Sequence, residues 1–176
     1  IWLEGVNNVT VYANDTSGNV NSSSVKFRID TTYPLISISY PSNSSNFSTT
    51  NINVNYTLTE SNPFNCWYTN SSGLFNTTLT CGNNLTGINW PEGANNITVY
   101  ANDSVSNANS SSIKFTIDTK PPYFLHTVNN FELTNGSSFN YDVNATDDGV
   151  GIQNYSINDS RFSVNVTGWV KNTSEI

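Results

Sequence analysis

A chain of 176 residues with 36% hydrophobic and 12% aromatic content holds enough apolar material for a core, which argues against disorder despite its Asn, Ser and Thr load. Only 11% of residues are charged and the formal net charge is −7, so a basic surface for nucleic acid is missing. No apolar run approaches a membrane span and no signal peptide is present; opening at Ile1 directly in strand-like sequence, the chain reads as an excerpt from a longer one.

Residues 1–30 begin with Trp2-Leu3-Glu4-Gly5 and continue as Asn7–Asp30, NNVTVYANDTSGNVNSSSVKFRID. The same element returns 88 residues later as Asn95–Asp118, NNITVYANDSVSNANSSSIKFTID, after the matching lead-in Trp90-Pro91-Glu92-Gly93. In the second copy Ile97, Val99 and Ala101 alternate with polar residues on the way out, and Ile113, Phe115 and Ile117 on the way back. Period two with β-branched and aromatic residues marks a half-buried strand, and the Asn/Ser-rich middle marks a turn. Such a hairpin cannot bury its own apolar face, so other strands must close over it.

Thr31-Thr32-Tyr33-Pro34 reads as a linker whose proline extends the chain. Leu35, Ile36 and Ile38 then suggest a strand ending at the turn region PSNSSN, and Ile52, Val54, Tyr56 and Leu58 a second. Phe64–Tyr68 gives a third, turned by Ser71-Ser72-Gly73, and Leu74–Leu79 and Leu85–Trp90 add shorter ones. Short strands without helical period over 31–118 predict a complete β-sandwich. After Asp118-Thr119-Lys120-Pro121-Pro122 the pattern restarts: Phe139, Tyr141, Val143 and Ala145 repeat the alternation of Ile52 to Leu58, Tyr155 takes the place of Tyr68, and Phe162, Val164 and Val166 form a further strand. Residues 119–176 therefore read as an incomplete sandwich without its last strands, and 1–30 as the closing hairpin of a sandwich completed by a neighbouring unit. The expected fold is all-β, with tandem sandwiches and the chain cut inside a domain.

The segment VYANDSVSNANSSSIKFTIDTKPP resembles the closing strands and linker of tandem immunoglobulin-like repeats in prokaryotic, particularly archaeal, surface proteins. FNYDVNATDDGVGIQNYSINDSRFSVNVTGWV resembles the first strands of a cadherin-like repeat. The resemblance implies adhesins, surface-layer components, stalks or fibres. Animal cadherins bind calcium through an acidic linker, most of whose ligands are absent from Asp118-Thr119-Lys120-Pro121-Pro122; the acidic turn survives in Ala145-Thr146-Asp147-Asp148-Gly149.

Chemistry-bearing residues are few. Cys66 and Cys81 are expected to close a disulfide loop in an oxidising compartment, reduced buried thiols being the alternative. Glycosylation sequons stand at Asn8, Asn14, Asn21, Asn43, Asn46, Asn55, Asn70, Asn76, Asn84, Asn96, Asn102, Asn109, Asn135, Asn144, Asn154, Asn158, Asn165 and Asn172. Composition alone generates some of these, but Asn55, Asn96, Asn102 and Asn144 lie out of phase with the apolar residues and are expected to face solvent as the best acceptors of N-linked glycans. Calcium is the one cofactor the acidic turns suggest, with oxygens from Asp118, Asp147 and Asp148; turn-forming aspartates are the competing account, and for Asp15 and Asp103 the preferred one. Catalysis has no constellation: His126 is the single histidine and stands in no motif. Trp2, Trp67, Trp90 and Trp169 suggest a carbohydrate platform only where two coplanar rings face solvent.

These features point to a non-enzymatic, glycosylated extracellular filament, stalk or surface layer. Its units are expected to join head to tail by chain continuity or strand complementation, burying Val9, Val11, Val25, Phe27 and Ile29 of one unit against Phe139, Tyr141, Phe162 and Val164 of a neighbour. A carbohydrate-binding or cell-adhesion module, and a spacer repeat of a larger surface enzyme, are the alternatives.

Overall fold

Period-two sequence leads to strands throughout. The computed structural model describes residues 1–70, 76–126, 129–130, 132–134 and 136–173, and among these it is all-β, without a helix, in several multi-stranded sheets consistent with a β-sandwich. The turn expected at Ser71-Ser72-Gly73 lies outside the described residues. The chain divides into two compact units, Ile1–Tyr40, Val54–Leu85 and Ile97–Ser112 forming one, and Pro41–Asn53, Thr86–Asn96 and Ile113–Ile176 the other.

In the first unit β1 (Gly5–Asn14) and β2 (Val20–Ile29) form an antiparallel hairpin in register from Gly5↔Ile29 to Asn14↔Val20. Its turn is organised by Asp15, whose Oδ1 accepts hydrogen bonds from the N–H groups of Ser17 and Asn19, both at 2.9 Å. β3 (Leu35–Tyr40) pairs with β5 (Asn55–Thr59), Leu35 opposite Thr59. β6 (Pro63–Thr69) pairs with β7 (Thr77–Leu79) on one side and β8 (Gly93–Asp103) on the other, with Cys66 opposite both Leu79 and Ala101. The buried apolar residues of this unit include Ile36, Val54, Tyr56, Cys66, Ile97, Val99 and Ala101. β8 and its hairpin partner β9 (Ala108–Ile117) contribute residues to both units.

In the second unit β4 (Ser45–Phe47) runs parallel to the end of β9, Ser45 opposite Phe115 and Phe47 opposite Ile117. Trp90 is the centre of its packing: its backbone N–H donates to the Thr50 carbonyl at 2.9 Å, its indole Nε1–H to the Ile52 carbonyl at 2.7 Å, and its ring meets Phe115 edge-on at 5.0 Å. Further along, β10 (Tyr123–Phe124) pairs with β12 (Ala145–Thr146), while β11 (Asn140–Asp142), β14 (Trp169–Asn172) and β13 (Phe162–Val164) form a three-stranded sheet in that order.

Several elements differ from the sequence expectation for local reasons. The polar PSNSSN region contains the start of β4, held by Ser44 N–H donating to the Lys114 carbonyl at 2.7 Å. Ile52 and Val54 are buried as their alternation predicts, but the ladder begins only at Asn55; Val54 instead bridges Leu85, and Asn51 bridges Asn89. Leu85–Trp90 accordingly supplies isolated bridges in place of a strand. The strand beginning at Phe162 stops at Val164, because Asn165 Oδ1 gathers the N–H groups of Thr167 and Trp169 into a turn.

Candidate functional site

The two copies of the hairpin make the same contacts. Trp2 meets Phe27 edge-on at 4.9 Å and 86°, as Trp90 meets Phe115 at 5.0 Å and 86°. Asn7 Nδ2 donates to the carbonyls of Leu3 and Gly5, and Asn95 Nδ2 to those of Pro91 and Gly93. The hydroxyls of Thr10 and Ser24 bond at 2.8 Å, those of Thr98 and Ser112 at 2.7 Å. Asp103 repeats the turn of Asp15 by accepting from the N–H groups of Val105 and Asn107. Each hairpin is also tied to the start of its linker. Glu4 accepts from the Thr31 N–H and hydroxyl, and Glu92 from those of Thr119.

What differs is cover. In β8–β9 the inward residues Ile97, Val99, Ala101, Ile113, Phe115 and Ile117 are all buried. In β1–β2 Val11 is 66% exposed where Val99 is 0%, Val25 is 59% where Ile113 is 8%, and Trp2 is 58% where Trp90 is 2%. Val9, Phe27 and Ile29 are half-buried. The opposed residues Val9↔Val25 and Asn7↔Phe27 place these side chains on one face of the hairpin. Fully burying one aliphatic or aromatic side chain contributes roughly 1.5–3 kcal/mol, so an uncovered face of this size forgoes much of what β8–β9 gains.

On the other set of residues in the expected interface, Phe139, Tyr141, Phe162 and Val164 are half-buried. Phe139, Tyr141 and Phe162, together with Val143, Ile157 and Val170, line an open apolar groove of about 390 Å³. Phe139 packs edge-on against Phe162 at 5.5 Å. Trp2, Val143, Ile157 and Val170 were not among the expected interface residues; the matching lead-ins before the two hairpins were the signal for Trp2.

Cys66 and Cys81 are joined in a disulfide with Cα atoms 5.2 Å apart, brought together because β6 ends one side of the loop and the turn after β7 the other. Among the sequon asparagines, Asn8, Asn14, Asn21, Asn43, Asn46, Asn70, Asn76, Asn84, Asn109, Asn154, Asn158 and Asn165 are exposed. Asn55, Asn96, Asn102 and Asn144, expected to be the most open, are half-buried, as is Asn172; Asn135 lies outside the described residues. At Asn102 the side chain is engaged by a neighbouring strand: its Oδ1 accepts the Asn65 N–H at 2.9 Å, where β6 shifts register.

Asp118 and Asp147 serve backbone turns. Asp118 Oδ2 accepts from the Val150 N–H at 2.8 Å, and Asp147 Oδ1 from those of Gly149 and Gly151 at 2.8 and 3.0 Å. The Gly151 and Gly149 hydrogen bonds hold the Asp147 carboxyl below its ordinary value. Asp148 stands 3.9 Å from Lys120 Nζ and accepts from the Tyr123 hydroxyl. Among the described residues, the group of three carboxylates whose oxygens lie within 4.8 Å of one another is instead Asp30, Glu60 and Asp103, a juxtaposition with no local sequence signal because it depends on tertiary pairing. Arg28 lies 3.4 Å from Asp30 Oδ2. At Asp103 desolvation pushes the carboxyl up, but hydrogen bonds from the Asn107 side chain and the N–H groups of Asn107, Val105 and Ser106 outweigh it and leave the value lowered. His126 is exposed. Trp67 and Tyr100 stack face to face at 5.3 Å and 2°, covering each other's rings, while Trp169 is exposed. No protein-family model matches the chain, and no curated protein matches it either.

Proposed function

We propose that this chain is a non-enzymatic structural unit of a glycosylated extracellular filament, stalk or surface layer, built from immunoglobulin-like or cadherin-like β-sandwich repeats. The observation that carries this reading is the contact-for-contact repetition of the hairpin and its linker clamp, from Trp2–Phe27 and Glu4–Thr31 to Trp90–Phe115 and Glu92–Thr119. A unit reproduced to this detail suits an architecture made by repetition, in which stability accrues from equivalent elements and their neighbours. The Cys66–Cys81 bond fits an oxidising compartment, and twelve exposed sequon asparagines fit glycan attachment on surface turns and edges. Glycans there also oppose edge-to-edge strand pairing.

Immunogold labelling of intact cells that make this chain tests the reading. The expected result is label along surface fibres or a surface layer, on material that loses mass when deglycosylated. Label confined to the cell interior contradicts it.

A further inference from the structure

We infer that the apolar face of β1–β2 is a docking surface for a second copy of this chain, seated on the groove lined by Phe139, Tyr141, Val143, Ile157, Phe162 and Val170. The inference rests on the structural-repeat reading above and names its partner.

The same chain holds a buried counterpart of this hairpin. The β8–β9 hairpin, closely similar in sequence and matched in its contacts, has its apolar face buried. The residues buried along with it include Ile52, Val54 and Tyr56, and the Ile52 carbonyl takes the indole N–H of Trp90. Phe139, Tyr141 and Val143 repeat Ile52, Val54 and Tyr56 at a constant spacing of 87 residues.

The correspondence extends to the backbone. Tyr123 pairs opposite Thr146 as Leu35 pairs opposite Thr59, so the strand leading out of each linker meets the same strand of its repeat. The groove therefore carries, in equivalent positions, the kind of side chains that are buried along with β8–β9, and the face of β1–β2 carries the kind that is buried in β8–β9 itself. The chemistry matches: aliphatic and aromatic residues predominate on both sides, the groove adding Asn158 and Asp159, and Trp2 against Phe27 is a large, partly wet anchor of the type that dominates protein interfaces. Because face and groove are different surfaces of one chain, each copy offers one of each. The contact is heterologous and propagates from copy to copy.

Sedimentation velocity on the full chain over a wide concentration range, with the disulfide intact, tests this. Wild type is expected to form a concentration-dependent ladder of dimers, trimers and larger species. On the hairpin face, Val25→Asp is expected to weaken self-association at least about tenfold. On the groove, Ile157→Asp and, independently, Phe162→Asp should do the same. Far-UV circular dichroism identifies any variant that has lost its fold, and Ile157, at 39% exposure, is the safer of the two groove positions. Tyr12→Asp, on the opposite face of β1, should leave the ladder intact.

The decisive sample is a mixture of Val25→Asp with Ile157→Asp. One good face and one good groove remain, so dimers form and nothing larger. A wild type that stays monomeric throughout overturns the inference. So does a mixture without dimers, or a groove variant that associates as wild type does, which indicates two hairpin faces packed together. A monomeric wild type leaves the surface-filament reading standing, because that reading falls on the location of the label.

Discussion

The edge of the Trp2 indole against the Phe27 ring, at 4.9 Å and 86°, is the same contact that Trp90 makes with Phe115. In the first pair Trp2 is exposed and Phe27 half-buried, whereas the second pair is sealed. The geometry therefore comes from the hairpin and its lead-in, since it forms without cover. The cover is a separate, tertiary contribution.

That separation predicts unequal costs for one substitution. Trp90→Phe leaves the Ile52 carbonyl without its indole donor in a buried site and is expected to destabilise the fold by about 1–3 kcal/mol, before any cavity cost. Trp2→Phe, at an exposed ring, should change the stability of dilute protein by less than about 0.5 kcal/mol. Urea denaturation of the two variants measures the difference; equal losses contradict the account.

The paired turns predict a stabilising change. Ser106 has φ of +76°, where the first hairpin has Gly18 at +84°. A left-handed backbone costs a side chain more than it costs glycine, so Ser106→Gly should raise stability by up to about 1 kcal/mol, and Gly18→Ser should lower it. Thermal midpoints that move in the opposite directions refute the equivalence of the turns.

Much of this was legible in period-two alternation. Both hairpins, β3 and β6 follow from it, and the burial of Ile52, Val54 and Tyr56 was readable even though their ladder begins only at Asn55. β4 was not legible. Three polar-flanked residues carry no periodicity, and their parallel pairing with β9 is fixed by Ser44 and Asn43 reaching Lys114 across the fold. Parity gave Asn102 an outward place, yet could not show that a register shift in β6 brings the Asn65 N–H onto its side chain and leaves it half-buried. The interface face was visible as Val9, Val11, Val25, Phe27 and Ile29, whereas Ile157 and Val170 reach the groove only through the folding of 139–172. The acidic group of Asp30, Glu60 and Asp103 was invisible for the same reason.

The disulfide closes a loop with a sequence separation of 15, for which chain entropy gives about 3 kcal/mol. The double substitution Cys66→Ser and Cys81→Ser is expected to lower unfolding free energy by roughly that amount while preserving the strand content. Far-UV circular dichroism during urea titration reads both; unchanged stability contradicts the prediction.

Both linker clamps should titrate at low pH. Thr119, first through its hydroxyl and then its N–H, holds the Glu92 carboxyl below the usual glutamate value; Thr31, first through its N–H and then its hydroxyl, does the same to Glu4. A lowered folded-state value means the contribution to stability is present above the unfolded value, about 4.3, and is lost as pH falls through the folded one. Asp159, held by Arg161 through side-chain and backbone hydrogen bonds, should protonate only at about 2. Carbon-13 NMR of the carboxyls is expected to show depressed midpoints at all three, with Thr119→Val returning Glu92 toward its ordinary value. An ordinary midpoint for Glu92 in the wild type removes the clamp.

By the inference above, β1–β2 is a hairpin built to be buried as β8–β9 is buried. Hydrogen-exchange mass spectrometry at low and high protein concentration tests it most directly. In dilute protein, peptides spanning Val9–Tyr12 and Val25–Phe27 should exchange much faster than those spanning Ile97–Tyr100 and Ile113–Phe115. At high concentration, protection of the first pair should rise toward that of the second, accompanied by slower exchange around Tyr141 and Phe162. Fast exchange in β1–β2 at every concentration, with β8–β9 protected throughout, contradicts the claim.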